Sequence, residues 1–366
     1  MGDCGLDDRA DEDELLSLIE DSASAFLVEK HRPERLRQNP LPSLWSDLGE
    51  LGLLGINLPE TDGGSGLGAV GVTRIARLFG RELLPDPFIA HAVIPASLIG
   101  ALPVGEARTA LAAALLEGSR SVTLAWQEDA GQLCSKACAA IMASGGFSGE
   151  KIGVSYANMV LITVRTDQGI ALVQALAPPE TTPTRTLAGA AFGQLDLSGL
   201  TPTGSPLLVG DAAVRAVDRA IGLGVLAAAA QLCGIADGAF ALTLAHLKTR
   251  RQFGKAIGDF QALQHRAVDL LMALALAEAS VAEAARCWDE DPDSETTFAA
   301  VSAAKARSGA TAVLVSREAI QMHGAMGFTE EASVGLYVRA AHSLNGWLGS
   351  PRHHRRRFVS LGTTHV

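Results

Sequence analysis

Cysteine is scarce and unpaired in this sequence. The five present, Cys4, Cys134, Cys138, Cys233 and Cys287, are odd in number and scattered. That pattern excludes a disulfide framework and fits a reducing cytoplasm, the expected location. Cys134 and Cys138 have no second pair with metal-ligand spacing beside them, so neither zinc nor any other metal is expected. A membrane-spanning apolar run is also missing. The best candidate, Ala220 to Ile235, is too short and is followed by Asp237, Lys248, Arg250 and Arg251, so it reads as a buried bundle helix. The acidic N-terminus, Asp7 to Glu14, lacks the basic region and apolar core of a secretory signal, and none is expected. An overall positive charge is absent too: the formal net charge is -10, which argues against nucleic acid as the main partner.

What the sequence does have is length for a large core, 366 residues, of which 48% are hydrophobic, with much alanine, so helices should dominate. The pattern is helical from about Glu12 to Leu116, broken by the loop Pro59-Glu60-Thr61-Asp62-Gly63-Gly64-Ser65-Gly66. Between about Ser119 and Gly210 it changes to short β-rich runs, Val160 to Val164 and Ile170 to Val173, separated by turn residues. Long apolar-periodic helices then return: Ala213 to Lys248, Phe260 to Trp288, Glu295 to His323, and a shorter one from Ala332 to Leu348. Asp289 to Ser294 supplies a helix stop and an N-cap. These changes divide the chain into a helical domain (1–118), a small β domain (119–210) and a helical bundle (211–366). The basic run Arg352 to Arg357 reads as a solvated helix end or a subunit contact.

Two segments carry chemistry. In Arg250-Arg251-Gln252-Phe253-Gly254-Lys255-Ala256-Ile257-Gly258-Asp259-Phe260-Gln261, Arg250 offers a planar fork of donors suited to a pyrophosphate. Phe253 offers a ring face, and Gln261 an amide for an adenine or ribitol edge. In Gln321-Met322-His323-Gly324-Ala325-Met326-Gly327-Phe328, Gly324 and Gly327 permit a sharp turn close to a ligand and Gln321 supplies a polar contact. Taken singly, each also fits a helix end: arginines complementing a helix dipole, and a glycine exit.

Together, in this order, the segments resemble the flavin-contacting segments of the acyl-CoA dehydrogenases. The resemblance covers nearly the whole chain. It implies a mainly α fold with a central β domain: an N-terminal α domain, a middle β-barrel and a C-terminal four-helix bundle. It also implies FAD as cofactor, with Arg250, Gln252, Phe253, Gln261, Gln321 and Gly324 as cofactor-binding residues.

The family's reaction removes the α-proton of an acyl-CoA thioester with a carboxylate while the flavin takes the β-hydride. In most members the base is a glutamate in a segment like Tyr-Glu-Gly-Thr, and that position falls on Leu348. In a minority it lies on the first bundle helix, and that position falls on Gly224. Neither takes a proton. Asp218, six residues before Gly224, would lie roughly 120° away round a helix and about 9 Å along it. Glu330 and Glu331 read as the charged start of the last helix, and no acid follows them. No catalytic residue is therefore assigned. The ring-contacting loop is altered as well: Gln127 to Cys134 stands where the family has Thr-Glu-x-Gly-x-Gly-Ser-Asp, and Gly153-Val154-Ser155 where it has Trp-Ile-Thr.

In the family each FAD spans a dimer interface: one subunit provides ring site and base, its neighbour the clamp on pyrophosphate and adenosine. This chain keeps the clamp and lacks the rest. The resemblance thus narrows to the base-lacking subunit of heteromeric (α2β2) bacterial steroid-CoA dehydrogenases. It implies a second acyl-CoA dehydrogenase-like subunit that supplies the glutamate, a bulky steroid-type acyl-CoA substrate, and an electron-transfer flavoprotein as acceptor. Three alternatives remain at this point: a self-sufficient homotetramer, a noncatalytic scaffold subunit without flavin, and a flavin oxidase or monooxygenase on the same fold.

Overall fold

The computed structural model describes residues 4–37, 43–143, 146–176, 184–185 and 191–362; the outermost ends of the 1–118 and 211–366 regions lie outside these. Five helices come first: α1 (Cys4–Lys30), α2 (Trp45–Glu50), α3 (Gly68–Arg81), α4 (Ile94–Ala101), entered through a π-turn over Ile89–Val93, and α5 (Glu106–Leu116). The loop read at Pro59 to Gly66 is present and contains a 3₁₀ turn, Glu60–Asp62. It is pinned by Arg108, which donates to both Asp62 oxygens at 2.8 and 2.6 Å.

Next come β1 (Val122–Ala125), β2 (Ile141–Ala143), β3 (Gly146–Ser148), β4 (Glu150–Ser155), β5 (Met159–Thr166), β6 (Gly169–Leu176), β7 (Thr184–Arg185), β8 (Ala191–Asp196) and β9 (Leu208–Val209). The implied barrel takes the form of two sheets sharing one core: β3-β2-β5-β6-β9 with β1 beside β5, and β4-β8-β7. Val160, Ile162 and Val173 from the first sheet meet Val154 and Leu195 from the second. The two runs read as strands are β5 and β6, paired antiparallel from Met159↔Leu176 to Thr166↔Gly169.

The C-terminal part begins with α6 (Gly210–Thr249), the longest helix. A hairpin, β10 (Arg251–Gln252) and β11 (Lys255–Ala256), follows, then α7 (Gln261–Glu290), α8 (Glu295–His323), α9 (Val334–Gly346) and α10 (Pro351–Gly362). Thus α10 joins the four helices read from the sequence, and the basic run forms its first half. It is not simply solvated, because His354 is fully buried. Glu330 and Glu331 lie in the turn before α9, not in its first turn. Ser294 caps α8 by accepting from Thr296 N–H, as the stop-and-cap pattern predicts. The same connection also serves α3: the Asp289 carboxylate accepts from the backbone N–H of Ala69 (2.6 Å) and Val70 (3.0 Å), two donors that a helix start leaves open.

The helix α6 is long and apolar enough to span a bilayer by composition, but 78% of its most apolar window is buried inside the protein. Its small residues let neighbours approach at backbone distance. A Cβ on Gly234 would stand 1.9 Å from the Arg77 carbonyl oxygen, and one on Gly80 would stand 2.0 Å from that of Gln231. Two helices cross there with no room for a methyl group. Gly234→Ala is therefore expected to destabilise the chain by about 1–3 kcal/mol, the usual cost of overpacking. A urea midpoint as high as the parent's would show that the crossing relaxes freely.

Candidate functional site

Four bundle elements converge at one end. The main chain leaves α6 at Arg250, whose N–H still donates to the His246 carbonyl at 2.9 Å. It then turns through the hairpin, with Arg251 opposite Ala256 and Gln252 opposite Lys255. Both loop residues, Phe253 (φ 52°) and Gly254 (φ 82°), are left-handed, as a two-residue hairpin turn requires. Gly254 is thus a turn residue in a hairpin and not a simple helix breaker. Phe253, in a conformation that costs a non-glycine residue energy, is 91% exposed at the tip. Buried Ile257 closes the hairpin by donating its N–H to the Arg250 carbonyl at 2.8 Å. Behind it, Lys255 Nζ lies 4.3 Å from the Phe260 ring centroid, and Gln261 opens α7.

The second segment reaches the same place. The imidazoles of His246 on α6 and His323 at the end of α8 stack with centroids 4.4 Å apart. Burial, then His323 and Arg250, lower the pKa of His246. Gln321 lies on that last turn of α8, and Gly324 (φ 62°) ends the helix. The two motifs, distant in sequence, thus share one end of the bundle. All six assigned residues, Arg250, Gln252, Phe253, Gln261, Gln321 and Gly324, are exposed. Arg250 has no ion pair among the described residues. The arrangement offers an unneutralised guanidinium, three amides and an aromatic face, which fits an anionic nucleotide. The histidine pair was not read from the sequence; its signal, two His residues at neighbouring helix ends, has meaning only once α6 and α8 are paired.

The positions expected for a base tell a different story. Leu348 and Gly224, reached by two independent registers, lie together: a Cβ on Gly224 would be 3.5 Å from Leu348 Cδ1 and 2.8 Å from the Ile94 side chain. The common point is apolar. Leu348 itself is left-handed (φ 55°) and 5% exposed. Its turn is held by two buried bases. Lys305 Nζ donates to the carbonyls of Gly349 (3.1 Å), Leu344 and Asn345 (both 3.4 Å), and His354 Nε2 pairs with that of Leu348 at 2.7 Å. Burial lowers Lys305 to about 7 and His354 to about 3.

Two other acids are occupied. Asp218, which the sequence placed off the helix face of Gly224, accepts from Ser135 N–H at 2.8 Å and Ser135 Oγ at 3.0 Å. Glu128, inside the altered ring loop, accepts from Lys151 Nζ (2.5 Å) and from the N–H groups of Ala139 (2.7 Å) and Ala140 (3.0 Å). Burial pushes the Glu128 carboxyl up, but these partners outweigh it and leave it below its ordinary value. It is a structural carboxylate.

A small pocket beside that loop is lined by Thr123, Trp126, Gly153, Ser155, Phe192 and Trp347 among others; its volume is about 10 Å³, room for no more than one water. A flavin ring does not fit there. The filling residue missed by sequence reasoning is Trp126, one position before the altered loop, 4% exposed and bonded through Nε1 to the Gln132 carbonyl at 3.3 Å. A larger cavity of about 340 Å³ adjoins the pocket and shares Ala90, Phe192 and Trp347 with it; it runs between the Leu83–Ala90 segment, α6 and α9. Asp86 lines it, with its oxygens accepting from Ser43 Oγ (2.5 Å) and Leu44 N–H (3.3 Å); burial raises its pKa.

Comparison with known proteins matches the family model "Acyl-CoA dehydrogenase, N-terminal domain" over residues 12–100 and "Acyl-CoA dehydrogenase, C-terminal domain" over 214–359. Acyl-CoA dehydrogenase IpdE2 of Mycolicibacterium smegmatis is 30% identical over 347 residues, covering 91% of this chain and 94% of the relative. A solved Tcur3481–Tcur3483 steroid ACAD is 25% identical and covers 96% of this chain and 99% of that one, with a TM-score of 0.83. The ChsE4–ChsE5 complex from Mycobacterium tuberculosis, 22% identical with coverages of 96% and 97% and a TM-score of 0.82, shares the fold.

The buried His354 gives a pH test. Its folded pKa lies below the unfolded value, so its contribution is intact above the unfolded pKa and is lost as pH falls towards the folded one. Between about pH 7 and about pH 5 the parent should lose about 2 kcal/mol more than His354→Gln, whose amide still donates to the Leu348 carbonyl. Equal urea-midpoint shifts for the two chains would contradict this.

Proposed function

Because this chain belongs to the acyl-CoA dehydrogenase family, we propose that it is the base-lacking subunit of a heteromeric, FAD-dependent acyl-CoA dehydrogenase. It clamps the pyrophosphate and adenosine of a flavin whose ring lies in the partner, and the partner supplies the catalytic glutamate. The family's members are FAD-dependent flavoproteins. The observation that carries the proposal is the meeting of Gly224, Leu348 and Ile94 at one apolar point. A single misregistration would leave a carboxylate there by the other route, and there is none.

The clamp fits its half of the cofactor. Arg250 is free to form paired charge-assisted hydrogen bonds to a pyrophosphate, which are about twice as strong as neutral ones. Phe253 stands ready to pack against the neighbouring subunit or the adenosine, and Gln261 and Gln321 to bond polar edges. This chain's own ring site does not fit, since Trp126 and Trp347 occupy it. Bound FAD would supply the hydride acceptor; the residues here bind and orient it. The likeness to a steroid ACAD and to a two-protein complex supports both the paired architecture and a bulky acyl-CoA as substrate.

Purified alone, the chain should carry little flavin, whereas co-expression with an acyl-CoA dehydrogenase-like partner should give a yellow, active complex with one flavin per pair. Arg250→Ala in that complex should lower flavin content at least tenfold at equal protein recovery, because a charge-assisted pair is lost. Stoichiometric flavin and dehydrogenation by this chain alone would refute the proposal. Leu348→Glu should not make the chain alone a dehydrogenase, because restoring a carboxylate does not empty the ring site.

A further inference from the structure

We propose that the stacked imidazoles of His246 and His323 act as a proton switch in the nucleotide clamp: the pair takes up a proton when a pyrophosphate diester binds beside Arg250 and releases it when the ligand leaves. The inference deepens the clamp reading of this end of the bundle and rests on it. What it adds is regulation, since the hold on the nucleotide then follows pH.

The pair stands where the two segments of the clamp meet. His246 lies one helical turn before Arg250, on the same face of α6, and the Arg250 N–H donates to its carbonyl at 2.9 Å. His323 is the last residue of α8, two positions after Gln321 and directly before Gly324. The rings are 4.4 Å apart between centroids and 23° from parallel, and both residues are half-buried. His323 Nδ1 lies 2.7 Å from the Ala319 carbonyl, which can only accept, so Nδ1 carries the hydrogen and Nε2 is left for a ligand. The His246 ring makes no hydrogen bond to the protein among the described residues.

Charge at this end gives the pair its task. The helices α6 and α8 both finish here and direct their negative ends at the site, while α7, starting at Gln261, brings a positive end. An anion is therefore opposed by two helix ends and favoured by one, and Arg250 alone has to offset both charges of a pyrophosphate diester. A protonated imidazole supplies the missing cation. Without a ligand that proton is held poorly: burial disfavours the charged His246 ring, His323 and Arg250 repel the proton further, and no carboxylate attracts it. The acids on the packed elements do not stand in. Glu318 of α8 pairs with Arg266 of α7 at 2.5 Å, and neither Asp259 before α7 nor Glu330 and Glu331 before α9 acts on the ring. Lys255 of β11 lies over the Phe260 ring instead. Two charged rings this close would repel each other, which limits the pair to one proton. A bound pyrophosphate reverses the sign of the local field and raises the pKa, so binding and protonation strengthen each other reciprocally.

The test uses the full chain and ADP-ribose, which carries the adenosine and bridging pyrophosphate of FAD and has no group that titrates near neutral pH. Calorimetric titration in two buffers of different ionisation heat counts the protons taken up per ligand bound. Histidine-labelled NMR follows each imidazole with and without ligand, its signals assigned by His246→Gln and His323→Gln. The free pKa lies below the bound one, so affinity is highest below the free value and falls as pH rises through the interval between them. From about pH 5.5 to about pH 8 it should fall about tenfold, the effect of a one-unit rise caused by a nearby opposite charge. Proton uptake should be positive and no more than one per ligand, and uncharged adenosine should cause none. The double variant His246→Gln/His323→Gln, checked for folding by circular dichroism, should bind with a flat pH profile. Arg250-dependent binding without proton uptake or imidazole shifts overturns the switch and leaves the clamp standing, as does uptake that persists in the folded double variant. If the double variant does not fold, the imidazole pKa of the parent with and without ligand decides. Failure of ADP-ribose to bind at any pH overturns the switch and the clamp together.

Discussion

The structure depends on how closely α3 and α6 can approach. At Gly80 and Gly234 each helix presses backbone against backbone, with less than a van der Waals contact to spare for any added Cβ. This brings the N-terminal helices onto the bundle as one continuous core that buries Val72, Phe79, Leu98 and, from α6, Ala213, Ala216, Ala220 and the run Ala227 to Ala230. It also fixes the height of everything further along α6. Gly224 comes level with Ile94 on α4 and Leu348 in the turn after α9, and Gln231 and Ile235 form one wall of the large cavity. Dispersion and apolar burial supply the stabilisation, but the small residues decide the geometry.

Several polar groups buried in this framework hold main-chain turns in place. Lys305 is fully buried, and no carboxylate is within ion-pair distance of it among the described residues; three carbonyls around the Trp347–Leu348 turn take its place. Burial accordingly drives its pKa down to about 7. His354 closes the same turn. The turn that carries Leu348 is thus held by two buried bases. In the β region the Glu128–Lys151 pair does comparable work, with Thr163 Oγ1 also 3.1 Å from the ammonium. Buried basic and charged groups hold the turn after α9 and the β-region loop, while Leu348, Gly224 and Ile94 meet in an apolar contact.

Most helices were legible because their signals are local. The apolar period of α6, α7 and α8, the Asp-rich break at Asp289 to Ser294 and the strand runs at Val160 and Ile170 each need only neighbouring residues to be read. The segment after Leu348 was harder. Its basic composition suggests a solvated end, whereas α10 buries His354 against a carbonyl from the preceding turn, a contact made across the fold. At the hairpin, Gly254 suggests a helix stop, and the paired left-handed residues Phe253 and Gly254 show a turn instead. That neither Leu348 nor Gly224 can take a proton was legible in the sequence. That the two residues meet at one point in space was not.

By itself, the sequence determined the order of helical and β regions, the family resemblance, the presence of Arg250, Phe253, Gln261 and Gln321 in the segments that carry it, and the absence of any acid after Glu331. These are properties of composition, period and motif, which require no long-range contact. Tertiary structure alone decided that His246 stacks on His323 and joins the two motifs, that Trp126 and Trp347 wall a pocket of only about 10 Å³ beside the Gln127 to Cys134 loop, and that a larger cavity remains beside it. The reason is that occupancy is a property of packed volumes: an indole in a sequence specifies an amount of bulk, and only the crossing of α6 with its neighbours determines which space that bulk fills.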